Sequence, residues 1–203
     1  MHILTIFISL FLFATNAFAH EIVAVIGEKY IITSDELEQV AKFTILLQSP
    51  ENINNNEILL YAKRQILNEL VEGKIVFTHA KAIGIDIEKV NISSELEIMA
   101  KKLPKHSESF EDFLMKYGIR AQYCKDHIAA QILANHLAFG MAKDKIASQE
   151  SILAKLKSFK YEDTPENRAK VENYLINQNI MKVKSDMISR LRKLYYVEVF
   201  WNG

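Results

Sequence analysis

The chain has 203 residues, of which 49% are hydrophobic and 25% are charged, and its 25 basic and 25 acidic residues give a formal net charge of zero. This is the composition of an ordinary globular protein. It lacks the positive field that a nucleic-acid-binding protein needs, so we expect no nucleic-acid partner.

The first 19 residues, MHILTIFISLFLFATNAFA, predict a secretory signal peptide. Thr5 and Ser9 are the only interruptions of the apolar run over residues 3–13, and Ala17 and Ala19 supply the small-x-small cleavage pattern. The run is short for a transmembrane helix, which needs about 20 apolar residues. We therefore expect export and cleavage after Ala19. Because the segment carries no Lys or Arg, retention as an uncleaved membrane anchor is the alternative.

The chain that follows begins with two short strand-like segments and then becomes helical. Residues 22–26 and 30–33 are rich in β-branched and apolar side chains and are separated by a turn. Thr33 and Glu36 have the spacing of a capping box, which predicts a first helix that ends near Leu47.

The middle of the chain predicts helices joined by short polar loops. From Glu57 onwards, apolar residues at steps of three, four and seven predict one long helix that ends at Gly84. Shorter helices are predicted up to Pro104 and after Ser109, and a longer one is predicted over residues 120–143.

The last part of the sequence predicts one very long helix followed by a strand. Thr164, Pro165 and Glu166 supply a cap, a proline at the first helical position and an acidic residue in the first turn. That helix leads to YYVEVFW, residues 195–201. Because a lone strand leaves its main-chain groups unpaired, we expect this one to pair with residues 22–26. The predicted fold is mainly α, with a small β-sheet formed by the N-terminal strands and the C-terminal strand.

Several segments occur in an order that is typical of one family. They are SDELEQV, AKAIGIDIEKVNISSELE, FEDFLMKYGI and QYCKDHIAAQIL, followed by NRAKVENYLINQNIMKVKSDMISRLRKLYYVEVF. This order resembles the N-terminal domain of SurA-type periplasmic chaperones, which is shared with trigger-factor-like foldases, and the helix and strand that return to close it. The resemblance implies a helical chaperone domain over residues 20–157, completed by the C-terminal helix and strand of residues 158–203.

The sequence departs from that family between the two halves of the core. Members usually carry one or two parvulin-type prolyl isomerase domains there, whereas here only about six residues, SFKYED, separate the predicted helices. The resemblance therefore implies a periplasmic chaperone that acts without ATP, is not an enzyme and binds unfolded or extended polypeptides, above all outer-membrane protein precursors. A divergent prolyl isomerase is one alternative. Another is an assembly or interaction subunit held close to the membrane, and self-association into a homo-oligomer is left open.

Methionine and aromatic side chains supply the candidate peptide-binding residues. Methionine adapts to partners of irregular shape and is common on surfaces that accept many partners. We expect some of these side chains to line an apolar cleft between the last helix and the middle helices, while others are core residues. The candidates are Met99, Phe110, Phe113, Met115, Tyr117, Phe139, Met141, Met181 and Met187.

Patterns typical of catalysis or metal binding are scarce. Cys124 is the only cysteine, and His127 and His136 follow it on the same predicted helix. A structural zinc site usually needs four ligands, and a nucleophilic cysteine needs a base, an orienting group and a cleft. We therefore predict no metal, no cofactor and no catalytic residue, and we expect Cys124 to be a buried, unreactive thiol.

Overall fold

The computed structural model describes residues 21–102, 109–142 and 148–202, so the predicted signal peptide lies outside the described residues. Within these ranges the chain forms three short strands and seven α-helices, which confirms the predicted fold class. The strands are β1 (Ile22–Ile26), β2 (Tyr30–Thr33) and β3 (Val197–Val199). The helices are α1 (Ser34–Gln48), α2 (Asn56–Ala82), α3 (Ser93–Lys102), α4 (Phe110–Lys116), α5 (Ala121–Ala142), α6 (Gln149–Phe159) and α7 (Pro165–Leu194).

The three strands form one antiparallel sheet in the order β2-β1-β3. Val25 of β1 lies opposite Ile31 of β2 and Glu198 of β3. The expected pairing of the C-terminal strand with residues 22–26 is therefore confirmed. Gly27 has φ 58°, which fits the tight turn between β1 and β2, because glycine adopts positive φ without steric cost.

Local capping interactions set the helix ends close to the predicted positions. The Thr33 hydroxyl accepts a hydrogen bond from the Glu36 backbone N–H at 3.1 Å, as expected for the cap of α1. α2 begins one residue earlier than predicted, because the Asn55 side chain accepts hydrogen bonds from the N–H groups of Glu57 and Ile58.

The main core lies between the sheet, α1, α2 and α5, and the last helix contributes to it as well. Ile26 and Ile32 of the sheet, Leu37 of α1 and Ile75 of α2 are fully buried there. Met187, Ile188 and Leu191 complete the same core from the C-terminal half of α7.

Buried polar contacts fix α1 against α2 and α5. The Glu36 carboxylate pairs with Lys74 at 2.8 Å, and both side chains are largely buried. Gln39 donates to Asp35 at 2.6 Å and accepts from the Arg120 backbone N–H at 2.7 Å, while the Arg120 guanidinium lies 3.1 Å from Asp35. Because these groups specify each other's position, they determine how the first turn of α5 lies on α1.

The N-terminal half of α7 packs against α6 around a cluster separate from the main core. Ile152 and Leu156 of α6 contact Val171 and Leu175 of α7 there. A helix of 30 residues is about 45 Å long. α7 therefore extends from this cluster, past the end of α5, to the main core and the sheet.

Candidate functional site

The contact between the end of α5 and the middle of α7 is thin, because it buries few large side chains. Its buried residues are Ala138 and Ala142 of α5 and Val183 of α7, with Ile180 packed at the side. Alanine carries one side-chain carbon, so this cluster buries little apolar area. Along α7, this cluster lies between the main core and the α6–α7 cluster.

Three large apolar side chains in the helical turns that form this contact are exposed. Phe139 is 55% exposed and Met141 is 51% exposed, and both lie next to buried alanines on α5. Met181, between Ile180 and Val183 on α7, is 71% exposed. Residues two apart on a helix point to opposite sides, so Phe139 and Met141 lie on the two flanks of the contact, and Met181 adds an exposed apolar group from the other helix. We call Phe139, Met141 and Met181 the α5–α7 surface.

A groove between α2, α5 and α7 adjoins this surface. Its wider part, with a cavity volume of about 570 Å³, includes Met181 among its lining residues. A narrower part of about 250 Å³ continues towards the middle of α2, where Gly73 and Ala130 are among its lining residues. Both parts share Ile188 as apolar lining. An ideal Cβ built on Gly73 would stand 2.9 Å from the Ala130 Cβ, so the two helices touch almost backbone to backbone.

Polar side chains form the walls of the groove. Lys184 Nζ donates to Asn135 Oδ1 at 2.9 Å, and Arg192 lies 3.5 Å from Glu72. Residues three or four apart on a helix share a face. Phe139, four residues after Asn135, therefore lies on the same face of α5 as the Asn135–Lys184 hydrogen bond. The groove thus combines an apolar floor with fixed charges of both signs.

A buried histidine contacts two residues that line the narrow part of the groove, Glu69 and Gln131. His127 is 8% exposed, and its Nε2 lies 3.4 Å from Glu69 Oε2 and 2.9 Å from the Gln131 amide nitrogen. The hydrogen bond with His127 holds the pKa of the Glu69 carboxyl below its usual value. The pair lies between α2 and α5, where it favours the observed spacing of the two helices.

The other predicted binding residues lie elsewhere. Phe110 and Met187 are buried in the main core, where Phe110 packs edge-to-face on Phe43. Phe113 is half-buried with its ring 5.3 Å from the Tyr117 ring, and Met115 beside them on α4 is 70% exposed. The side chain of Met99, on α3, lies outside the described part of the structure.

Several groove residues were not predicted from the sequence. Lys184 and Asn135 are joined by a contact between residues 49 positions apart, which no local pattern signals. Gly73 and Ala130 form the close approach of α2 and α5, and the only available signal was the presence of small residues at helix-interior positions.

Cys124 is fully buried on α5, as expected, and burial raises the pKa of its thiol to about 12. A thiol with that pKa is protonated at neutral pH and is a poor nucleophile. No group of three or more His, Cys, Asp or Glu side chains in the described ranges is placed to hold a metal ion.

Comparison with known proteins found no family model that matches the chain and no match among curated proteins. None of the helices in the described part of the chain has the length and apolar character needed to cross a membrane.

Proposed function

We propose that this protein is an ATP-independent chaperone that holds unfolded or extended polypeptides, outer-membrane protein precursors above all, in the periplasm. The observation that carries the proposal is the α5–α7 surface: Phe139, Met141 and Met181 are each more than half exposed in the turns where α5 meets α7, and Met181 also lines the adjoining groove. The resemblance of the sequence to SurA-type chaperones supports the same function.

The energetics of such a surface suit a holding function. Full burial of a Phe or Met side chain is worth about 1.5–3 kcal/mol, whereas immobilising an unfolded chain costs several kcal/mol. Three such side chains therefore give weak binding and rapid release, which lets clients leave without an energy source. Two of the three are methionines, whose flexible side chains accept clients of different shape.

The charged walls of the groove favour extended segments over compact apolar ligands. Lys184 and Arg192 are held by Asn135 and Glu72 and remain partly in contact with water. A client that passes over them keeps its own polar main chain solvated while its apolar side chains reach Met181 or Ile188. This arrangement discriminates by the state of the client's backbone rather than by its sequence.

The direct test is dilution of a urea-unfolded outer-membrane β-barrel protein in the presence of this protein, followed by light scattering. The wild type is expected to suppress aggregation at a several-fold molar excess. The double variant Phe139→Ser/Met181→Lys is expected to lose most of this effect. Tyr61→Lys is the matched control, because Tyr61 is 65% exposed but lies on α2 outside the groove. No suppression by the wild type, or equal suppression by both variants, would contradict the proposal.

A proline-peptide isomerisation assay on the same preparation separates this function from a divergent isomerase. We expect no turnover above the uncatalysed rate. Clear turnover would replace the chaperone proposal with an enzymatic one.

A further inference from the structure

The outer side of β3 is an open sheet edge. The Gly27 N–H donates to the Tyr196 carbonyl at 2.8 Å and the Phe200 N–H donates to the Val23 carbonyl at 2.8 Å, so Tyr196 and Phe200 direct their main-chain groups towards β1. Successive residues of a strand direct these groups to opposite sides. Val197 and Val199 therefore direct theirs outward, where no strand of the described residues continues the sheet.

The core-facing side of the sheet is left uncovered at this edge. Ile32, Ala24 and Val199 lie in one row across the three strands. Ile32 and Ala24 are 0% exposed, whereas Val199 is 47% exposed. A residue of a fourth strand beside Val199 would extend the same apolar row.

The opposite side of the edge combines apolar groups with one charge. Tyr196 and Phe200 are 61% and 47% exposed, and Glu198 lies between them in sequence. The Tyr196 hydroxyl donates to the Glu198 carboxylate, and no cation of the described residues forms an ion pair with that carboxylate. Opposite charges directly across two strands stabilise their pairing, so Glu198 favours a basic residue in an added strand.

We propose that extended polypeptides bind by adding a fourth strand along β3, with Lys or Arg opposite Glu198 and apolar residues opposite Val197 and Val199. The choice of occupant rests on the proposed chaperone function, and the edge is a second contact besides the α5–α7 surface. Main-chain hydrogen bonds give the affinity in this mode, and alternate side chains give a modest preference.

A second copy of the chain suits this edge less well. In the symmetric antiparallel register that places Tyr196 beside Phe200 of the second copy, the two Glu198 side chains stand directly opposite each other. Like charges in that position destabilise a strand pair.

The test uses Trp201, the only tryptophan of the chain, as a reporter at the end of the edge. The probe is an end-capped peptide, Thr-Thr-Val-Lys-Val-Thr-Thr, and its control carries N-methyl groups on both valines, which removes the two N–H donors that would face β3. We expect saturable change of Trp201 fluorescence with the first peptide and at least tenfold weaker binding of the second. Replacing the peptide's lysine by glutamate is expected to weaken binding as well.

Two variants of the protein test the same main-chain hydrogen bonds from the side of β3. Val199→Pro removes one outward N–H without removing a hydrogen bond to β1, and proline is tolerated on edge strands. Val199→Thr keeps the N–H and is the matched control. Peptide binding should be lost in the first variant and kept in the second, and the N-methyl peptide decides the matter with intact wild type if the proline variant fails to fold.

The outcomes separate this inference from the proposed function. Absence of peptide binding, or binding that tolerates N-methylation, overturns strand addition even where the protein suppresses aggregation. A doubled mass in light scattering that is abolished by Val199→Pro overturns the choice of occupant in favour of a second copy. Peptide binding with no suppression of aggregation leaves the edge site in place and removes the chaperone function.

Discussion

The close approach of α2 and α5 at Gly73 makes the sharpest stability prediction. Replacing Gly73 by alanine would bring the new Cβ to 2.9 Å from the Ala130 Cβ, whereas ordinary contacts begin at 3.4 Å. The obstacle is a side-chain carbon bonded directly to the backbone, so it cannot rotate away. The two helices must separate by about half an ångström, which loosens the core on both sides of the groove.

The expected magnitude follows from two opposing effects. Replacing glycine by alanine in a helix interior gains about 1 kcal/mol of helix propensity. Overpacking a close contact costs about 1–3 kcal/mol. Gly140 supplies the matched control, because it lies on α5 with nothing within 4 Å of an added Cβ. Gly140→Ala should therefore gain up to about 1 kcal/mol, and Gly73→Ala should be about 1–3 kcal/mol less stable than Gly140→Ala.

The assay is urea denaturation monitored by circular dichroism, with the double variant Gly73→Ala/Ala130→Gly completing a cycle. Moving the methyl group from α5 to α2 relieves the overlap, so the double variant should be about 1–3 kcal/mol more stable than the sum of the two single changes predicts. Equal stability of Gly73→Ala and Gly140→Ala, or additive behaviour in the cycle, would refute the close approach.

Three further predictions concern the core. Cys124 should react with a thiol reagent at neutral pH only after unfolding. Because burial raises its pKa from an ordinary value of 9.0 to about 12 in the folded protein, its stabilising contribution is complete below pH 9 and is lost as the pH rises towards 12, by about 1.4 kcal/mol per pH unit. Rapid labelling of the native protein would contradict the burial. Lys74→Met should destabilise by about 3–5 kcal/mol, because it leaves the Glu36 carboxylate buried and unpaired, and adding Glu36→Gln should recover part of this loss in the same urea assay. Deleting residues 195–203 should abolish the soluble monomer in size-exclusion chromatography, because β1 loses a strand partner and the core loses the cover of Val197 and Trp201; a stable, soluble truncation would show that the strand is dispensable.

The helix ends could be predicted because capping depends on residues close together in the sequence. The strand pairing could be predicted because few segments of the chain are strand-like. Thr33, Asn55 and Thr164 cap helices through contacts within three residues of the chain. Few strand-like segments compete for the C-terminal strand, which restricted its partner to β1 or β2. Where the signal is local, elementary preferences for caps and turns decide the structure.

The candidate site could be predicted only in outline. Met181 and Met187 lie six residues apart on the same helix, yet one is 71% exposed and the other 5% exposed. Apolar periodicity shows that a helix has a buried face, but α7 packs against three different clusters along its length, so the buried face changes. The spacing of residues on α7 alone does not reveal where each neighbour lies.

The central position of β1 in the sheet has a consequence for the order in which the protein is made. Val25 and its neighbour Glu198 are 173 residues apart, so β1 gains its second partner only after almost the whole described chain has left the ribosome. Until then β1 can pair with β2 alone, and an isolated two-stranded hairpin is marginally stable. Such long-range pairing slows folding. During synthesis β1 therefore stays without its second partner until β3 has been made.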